Sequence, residues 1–144
     1  MRSAIAVIAA GVAHWVFGAG WFTALGSLWI VGTRIPDAEA AAMRAHPSPA
    51  PYVLTLIMDL LMAAALLWIM HRTGEVSIPG GVKIGAITGV CLVGAAMVTE
   101  FAFEAKPISF YFITAGYPIL GMVLMGLITG AIAHRKPQAL IATA

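Results

Sequence analysis

From Tyr52 to Met70 the chain reads YVLTLIMDLLMAAALLWIM, an apolar run with one charged side chain, Asp59, near its middle. About 20 apolar residues make a helix long enough to cross the hydrocarbon core of a bilayer. The run therefore predicts a membrane helix. A carboxylate at that depth is costly unless it is protonated, paired or wet, so Asp59 is the first candidate functional group.

Three further runs pass the same length test, and together they predict an all-α, integral membrane four-helix bundle. The expected helices cover about 4–30, 51–71, 82–103 and 107–134, with the segment Gly26 to Ile30 an interfacial extension of the first. Between the first two, DAEAAAMRAH (37–46) is flanked by Pro36 and Pro47 and carries Asp37 at its start, where a negative charge favours a helix. It predicts a short amphipathic interfacial helix. The segment His71 to Gly81, with Pro79-Gly80-Gly81, reads as a polar turn, and Glu104 to Pro107 as a tight corner. One domain accounts for residues 1–144, and the N-terminal run, too long for a signal sequence, reads as an uncleaved membrane helix.

Composition agrees with lipid as the main solvent. Of 144 residues 61% are hydrophobic and 10% charged, where a soluble domain carries about 25% charged residues. The net charge of +2 forms no basic stripe with interleaved aromatics, so no nucleic-acid partner is expected. Cys91 is the only cysteine, which excludes an internal disulfide and a CxxC motif, and it reads as a small packing residue. His14, His46, His71 and His134 lack the spacing of a metal site on one helix, so no metal and no cofactor are expected.

Lysine and arginine counts predict the orientation. Arg2, Arg72, Lys83, Arg135 and Lys136 fall on one side against Arg34, Arg44 and Lys106 on the other, which places both termini in the cytoplasm. Gly81, Gly85 and Gly89 recur every four residues, as do Gly126 and Gly130. Such faces let helix backbones approach closely, either inside one bundle or at an interface with a second copy or another membrane protein.

At 1.5 Å per residue, His14, Asp59 and Tyr117 all lie roughly 12 to 15 Å below the outer boundary of their helices. Thr114 stands one turn above Tyr117, and Glu100 is nearer the surface. These five side chains predict a polar funnel descending to Asp59, with neutral His14 able to accept from Tyr117 or donate to Asp59. Trp21, Trp29, Tyr52 and Tyr111 fall where an interfacial aromatic belt is expected. Pro118 removes a backbone donor and frees the carbonyl of Thr114 beside Tyr117, where a kink is expected.

The stretch FEAKPISFYFITAGYPILGMVLMGLITG (103–130) resembles the C-terminal signature of the bacterial membrane family known as domain of unknown function seventeen sixty-one. Glu104, Lys106, Pro107, Ala115, Gly116, Tyr117, Met125, Gly126 and Gly130 match its pattern, and GAGWFTALGSLW (18–29) resembles its N-terminal element. Thr114 and Pro118 depart from it, standing where the family often has asparagine and histidine. The resemblance implies a four-helix bacterial membrane protein and no established activity.

Two functional expectations follow. The first is an inner-membrane protein with an outward-facing polar pocket that binds or passes a small solute or proton at Asp59, His14 and Tyr117. The second is a structural or accessory subunit that docks through its glycine-lined faces. No Ser/His/Asp order, HExxH or paired cysteines are present, so the chain is not expected to be an enzyme.

Overall fold

The computed structural model describes residues 1–45, 48–104 and 106–134, with Met43 and Arg44 described by backbone alone. His46, Arg135 and Lys136, which entered the expectations above, lie outside the described residues, as does the side chain of Arg44. Helix α1 spans Arg2–Thr33, α2 Asp37–Ala45, α3 Ala50–Thr73, α4 Ile78–Thr88, α5 Ala95–Glu104 and α6 Ile108–Ala133. A π-helical segment, Gly89–Gly94, joins α4 to α5 into one rod, Ile78–Glu104. The rod, α1, α3 and α6 are each long and apolar enough to cross a membrane, and no strand occurs among the described residues. The chain is a four-helix membrane bundle.

Local chemistry explains the helix ends, and at one of them it corrects the expected turn. Helix α4 begins at Ile78, so Pro79, Gly80 and Gly81 lie inside its first turn. Ser77 is the N-cap and its hydroxyl accepts from the Gly80 N–H at 3.1 Å, while Pro79 sits where a missing N–H costs nothing. Helix α3 ends at Gly74, whose φ of 74° is the left-handed geometry that glycine tolerates. The Glu75 N–H then reaches back to the Met70 carbonyl and closes the cap. Helix α1 runs unbroken through Gly26 to Ile30, the segment expected to extend it.

Lipid offers no hydrophobic drive for one apolar helix to meet another, so close backbone approach must supply the packing. The buried face of α1 is Ala6, Ala10, Gly11, His14 and Gly18, small except for the histidine. A Cβ on Gly81 would collide with the backbone of Gly126, one on Gly85 with Met122, and one on Gly130 with Ser77. At Gly89 the fit is less tight, and a Cβ there would stand 3.0 Å from the Ile119 carbonyl oxygen. The two glycine stripes therefore face each other across α4 and α6, within one chain. The outward faces carry Ile5, Ile8, Val12 and Val16 on α1 and Leu54, Ile57, Met58 and Leu61 on α3, all exposed, as lipid-facing surfaces should be. Cys91 is also exposed, on the π-helical segment, and is not the packing residue its glycine-rich surroundings suggest.

Packing differs between the two ends of the bundle. Ala10, Ala63, Leu66, Met70, Ile84, Met122 and Met125 form the core, and every one lies between the level of Asp59 and the end where Arg2 and Ala133 stand. Toward the opposite end, where α2 is, α5 buries no residue. Along α3 the residues from Ala50 to Met58 are exposed there except Leu56. The apolar core thus lies on the terminal side of Asp59, and at the α2 end α3 and α5 pack loosely while α1 and α6 still bury Gly32, Phe110, Ile113 and Ala115. Lys106 Nζ donates to the Thr33 carbonyl at 2.8 Å and ties α1 to the start of α6 at that looser end.

Candidate functional site

Asp59 faces inward. Its Oδ1 accepts from His14 Nδ1 at 2.8 Å, with Asp59 4% and His14 1% exposed. The pair lies at mid-bundle, Asp59 nine residues into α3 and His14 twelve after Arg2, which places it about 14 to 18 Å from the nearer helix ends. Depth counting from three separate runs anticipated this meeting, because equal depths on neighbouring helices are a precondition for contact.

Tyr117 joins the pair by its ring more than by its hydroxyl. Its ring lies 4.7 Å from the imidazole of His14 with the planes 8° apart, a stacked pair. The hydroxyl is 3.5 Å from His14 Nδ1, long for a hydrogen bond to a nitrogen already given to Asp59. The expected hydrogen-bonded partner is thus chiefly a stacking partner. Phe17 and Phe22 complete an aromatic cage, with ring centres 6.0 and 5.4 Å from Tyr117. Trp21 is partly buried and its Nε1 donates to the Ile113 carbonyl at 3.0 Å, and Trp29 stacks on Phe110. Both serve the α1–α6 contact.

Glycines create the space for these rings. A Cβ on Gly121 would overlap His14 Cδ2 and Nε2, and one on Gly18 would stand 2.7 Å from the Tyr117 hydroxyl. Gly11 admits Leu60, the neighbour of Asp59, with its Cβ position 2.8 Å from Leu60 Cδ2. Sequence reading missed all three, because a lone glycine in an apolar helix carries no sign of which ring it accommodates. The one legible signal was GVAHWVFG (11–18), small residues on both sides of His14. Gly121→Ala is expected to push the imidazole away from Asp59 and cost about 1 to 3 kcal/mol. Denaturation in mixed micelles should show this cost largely absent when His14 is already alanine.

Of the remaining site residues of the sequence reading, Glu100 is placed differently and Thr114 stands where it was expected. Glu100 is exposed on α5 and makes no side-chain hydrogen bond with a described residue, so the expected funnel lacks it. Four residues from the helix end, it can reach the polar boundary. Thr114 is partly buried one turn from Tyr117 on the α2 side, and its Oγ1 is buried without a partner. Pro118, inside α6, also frees the Thr114 carbonyl from its helical donor. Gly81, Gly85, Gly89, Gly126 and Gly130 lie away from this centre, in the α4–α6 contact.

The pair retains unused capacity. His14 Nε2 and Asp59 Oδ2 are both buried without a hydrogen-bond partner. Buried polar groups are nearly always satisfied, so two orphans on adjoining side chains at mid-bundle call for a functional account. Among the described residues no group of three His, Cys, Asp or Glu side chains is placed to hold a metal ion. What the pair can do is carry a proton. With Nδ1–H donating to an ionised Asp59 the centre bears one negative charge, and a proton added at Nε2 makes it an ion pair of zero net charge.

The family model for a protein of unknown function (DUF1761) matches residues 5–130. No curated protein and no solved structure matches the chain.

Proposed function

The chain belongs to the DUF1761 family of proteins of unknown function, and from its own polar centre we propose that it takes up and releases a proton at the buried His14–Asp59 pair, without catalysis. The observation that carries this reading is the pair itself, 2.8 Å apart, nearly inaccessible, with one unused polar atom on each side chain. A small solute would need space beside the pair. Exposures of 1% and 4% leave almost none, whereas a proton needs only donors and acceptors.

The α2 end is the side of entry. Toward the terminal end lie Ala10, Ala63, Met70 and Met125, each 0% exposed and apolar, and the buried, unpartnered Thr129 hydroxyl on that side is about two turns along α6 from Gly121, which faces His14. Toward α2 stand the Tyr117 hydroxyl, 3.5 Å from His14 Nδ1, and one turn beyond it the unpaired Thr114 hydroxyl. In a bacterial inner membrane with both termini cytoplasmic, as the basic residues suggest, this is the outward side. Docking through the glycine faces is the weaker reading, because α4 and α6 already occupy them.

The test is a pH step applied to one face of the chain reconstituted in vesicles of known orientation, followed by infrared difference spectroscopy. A carboxyl band absent from Asp59→Asn should follow the pH on the α2 side, and Tyr117→Phe should slow it. An Asp59 band that ignores pH on both sides would refute the proposal.

A further inference from the structure

At the terminal end, the far side of the apolar core from the His14–Asp59 pair, a cavity of about 700 Å³ is lined by Arg2, Ser3, His71, Val76 and His134, among others. Three elements bring basic groups to it: Arg2 from the start of α1, His71 from the last turn of α3, and His134 just past α6. Among the described residues no carboxylate lines it. The nearest in sequence, Glu75, is held by Lys83 Nζ at 3.0 Å. His134 Nδ1 donates to the Val76 carbonyl at 2.8 Å, which fixes its ring at the wall. Protonated, its Nε2 becomes a second donor. Helix α1 starts here with no side-chain cap, so the free N–H groups of its first turn add partial positive charge at the same end.

We infer that this cavity binds an anionic phosphate group. The guanidinium of Arg2 matches phosphate oxygens in a forked geometry, and Ser3 and the imidazoles supply further donors. The cavity also lies where four membrane-crossing helices end, the depth of phospholipid headgroups, and basic pockets between helices at that depth suit anionic lipids. The same chemistry would take a free phosphate from the water. Neither source involves the proton site.

Thermal unfolding of the full chain in a neutral detergent tests this. Phosphatidylglycerol is compared with phosphatidylcholine, and inorganic phosphate with chloride at equal ionic strength. Phosphatidylglycerol or inorganic phosphate should raise the melting temperature of the wild type. In Arg2→Gln and in His71→Gln the concentration for half the effect should rise about fivefold for each basic group removed. Both side chains are exposed and make no hydrogen bond with described residues, so neither change should unfold the chain. A response to the lipid alone identifies a headgroup, and a response to inorganic phosphate as well identifies a free anion. Asp59→Asn should respond like the wild type, which separates this site from the pair. No stabilisation beyond phosphatidylcholine and chloride, or an unaltered response in the Arg2→Gln/His71→Gln double variant, overturns the inference.

Discussion

Replacing His14 alone or Asp59 alone by leucine is expected to destabilise the chain by about 3 to 5 kcal/mol, while replacing both together costs far less. Each single change leaves a polar partner buried at mid-membrane with nothing to accept or donate. His14→Leu strands both oxygens of Asp59, since Oδ2 is already without a partner. Asp59→Leu strands Nδ1 of an imidazole whose Nε2 is equally unused. The double variant removes both desolvation costs and fills a centre that is 1% and 4% exposed with apolar groups. Denaturation in mixed micelles over the full cycle measures this coupling directly. Single variants that unfold no more easily than the double would show that the pair is not an interacting unit. Strong coupling with no proton response would make it a structural clasp.

Gly126→Val has the other large expected effect, about 3 kcal/mol, the upper end of what overpacking costs. At this point the neighbour is backbone: a Cβ on Gly126 meets the carbonyl of Gly81, and one on Gly81 meets that of Gly126. A flexible side chain could yield, but two helix backbones cannot separate without opening the α4–α6 contact along its length. Gly20→Ala is the matched control. Nothing lies within 4 Å of a Cβ there, so the change should be neutral or slightly stabilising. Unfolding of the two variants in the same micelles compares them, and equal stability would mean that the glycine stripes do not set the helix spacing.

The four apolar runs were legible because hydrocarbon thickness imposes one length on any helix that crosses it. The His14–Asp59 contact was legible for a related reason: depth is a one-dimensional coordinate that a count of residues supplies. Rotation about each helix axis is not, and the misplacements follow from that. Glu100 has a suitable depth but lies on α5, which buries nothing. Cys91 sits among glycines yet faces outward. Gly11, Gly18 and Gly121 matter only through the ring or side chain opposite each, and those belong to other helices or turns. At Ser77 the local signal was present, a serine N-cap ahead of an early proline, but Pro79-Gly80-Gly81 reads equally as a turn when seen alone. The π-helical segment has no sequence signature in this run, since GVCLVG would also continue an ordinary helix.

Proton occupancy of His14 is the central claim, and nitrogen-15 magnetic resonance of the imidazoles in lipid bilayers measures it most directly. The four histidines are few enough to assign by single replacement. The account predicts that the two ring nitrogens of His14 change between the neutral and the doubly protonated pattern with pH, and that Asp59→Asn shifts or removes the change. A His14 ring that keeps one protonation state while the pH is changed would contradict it.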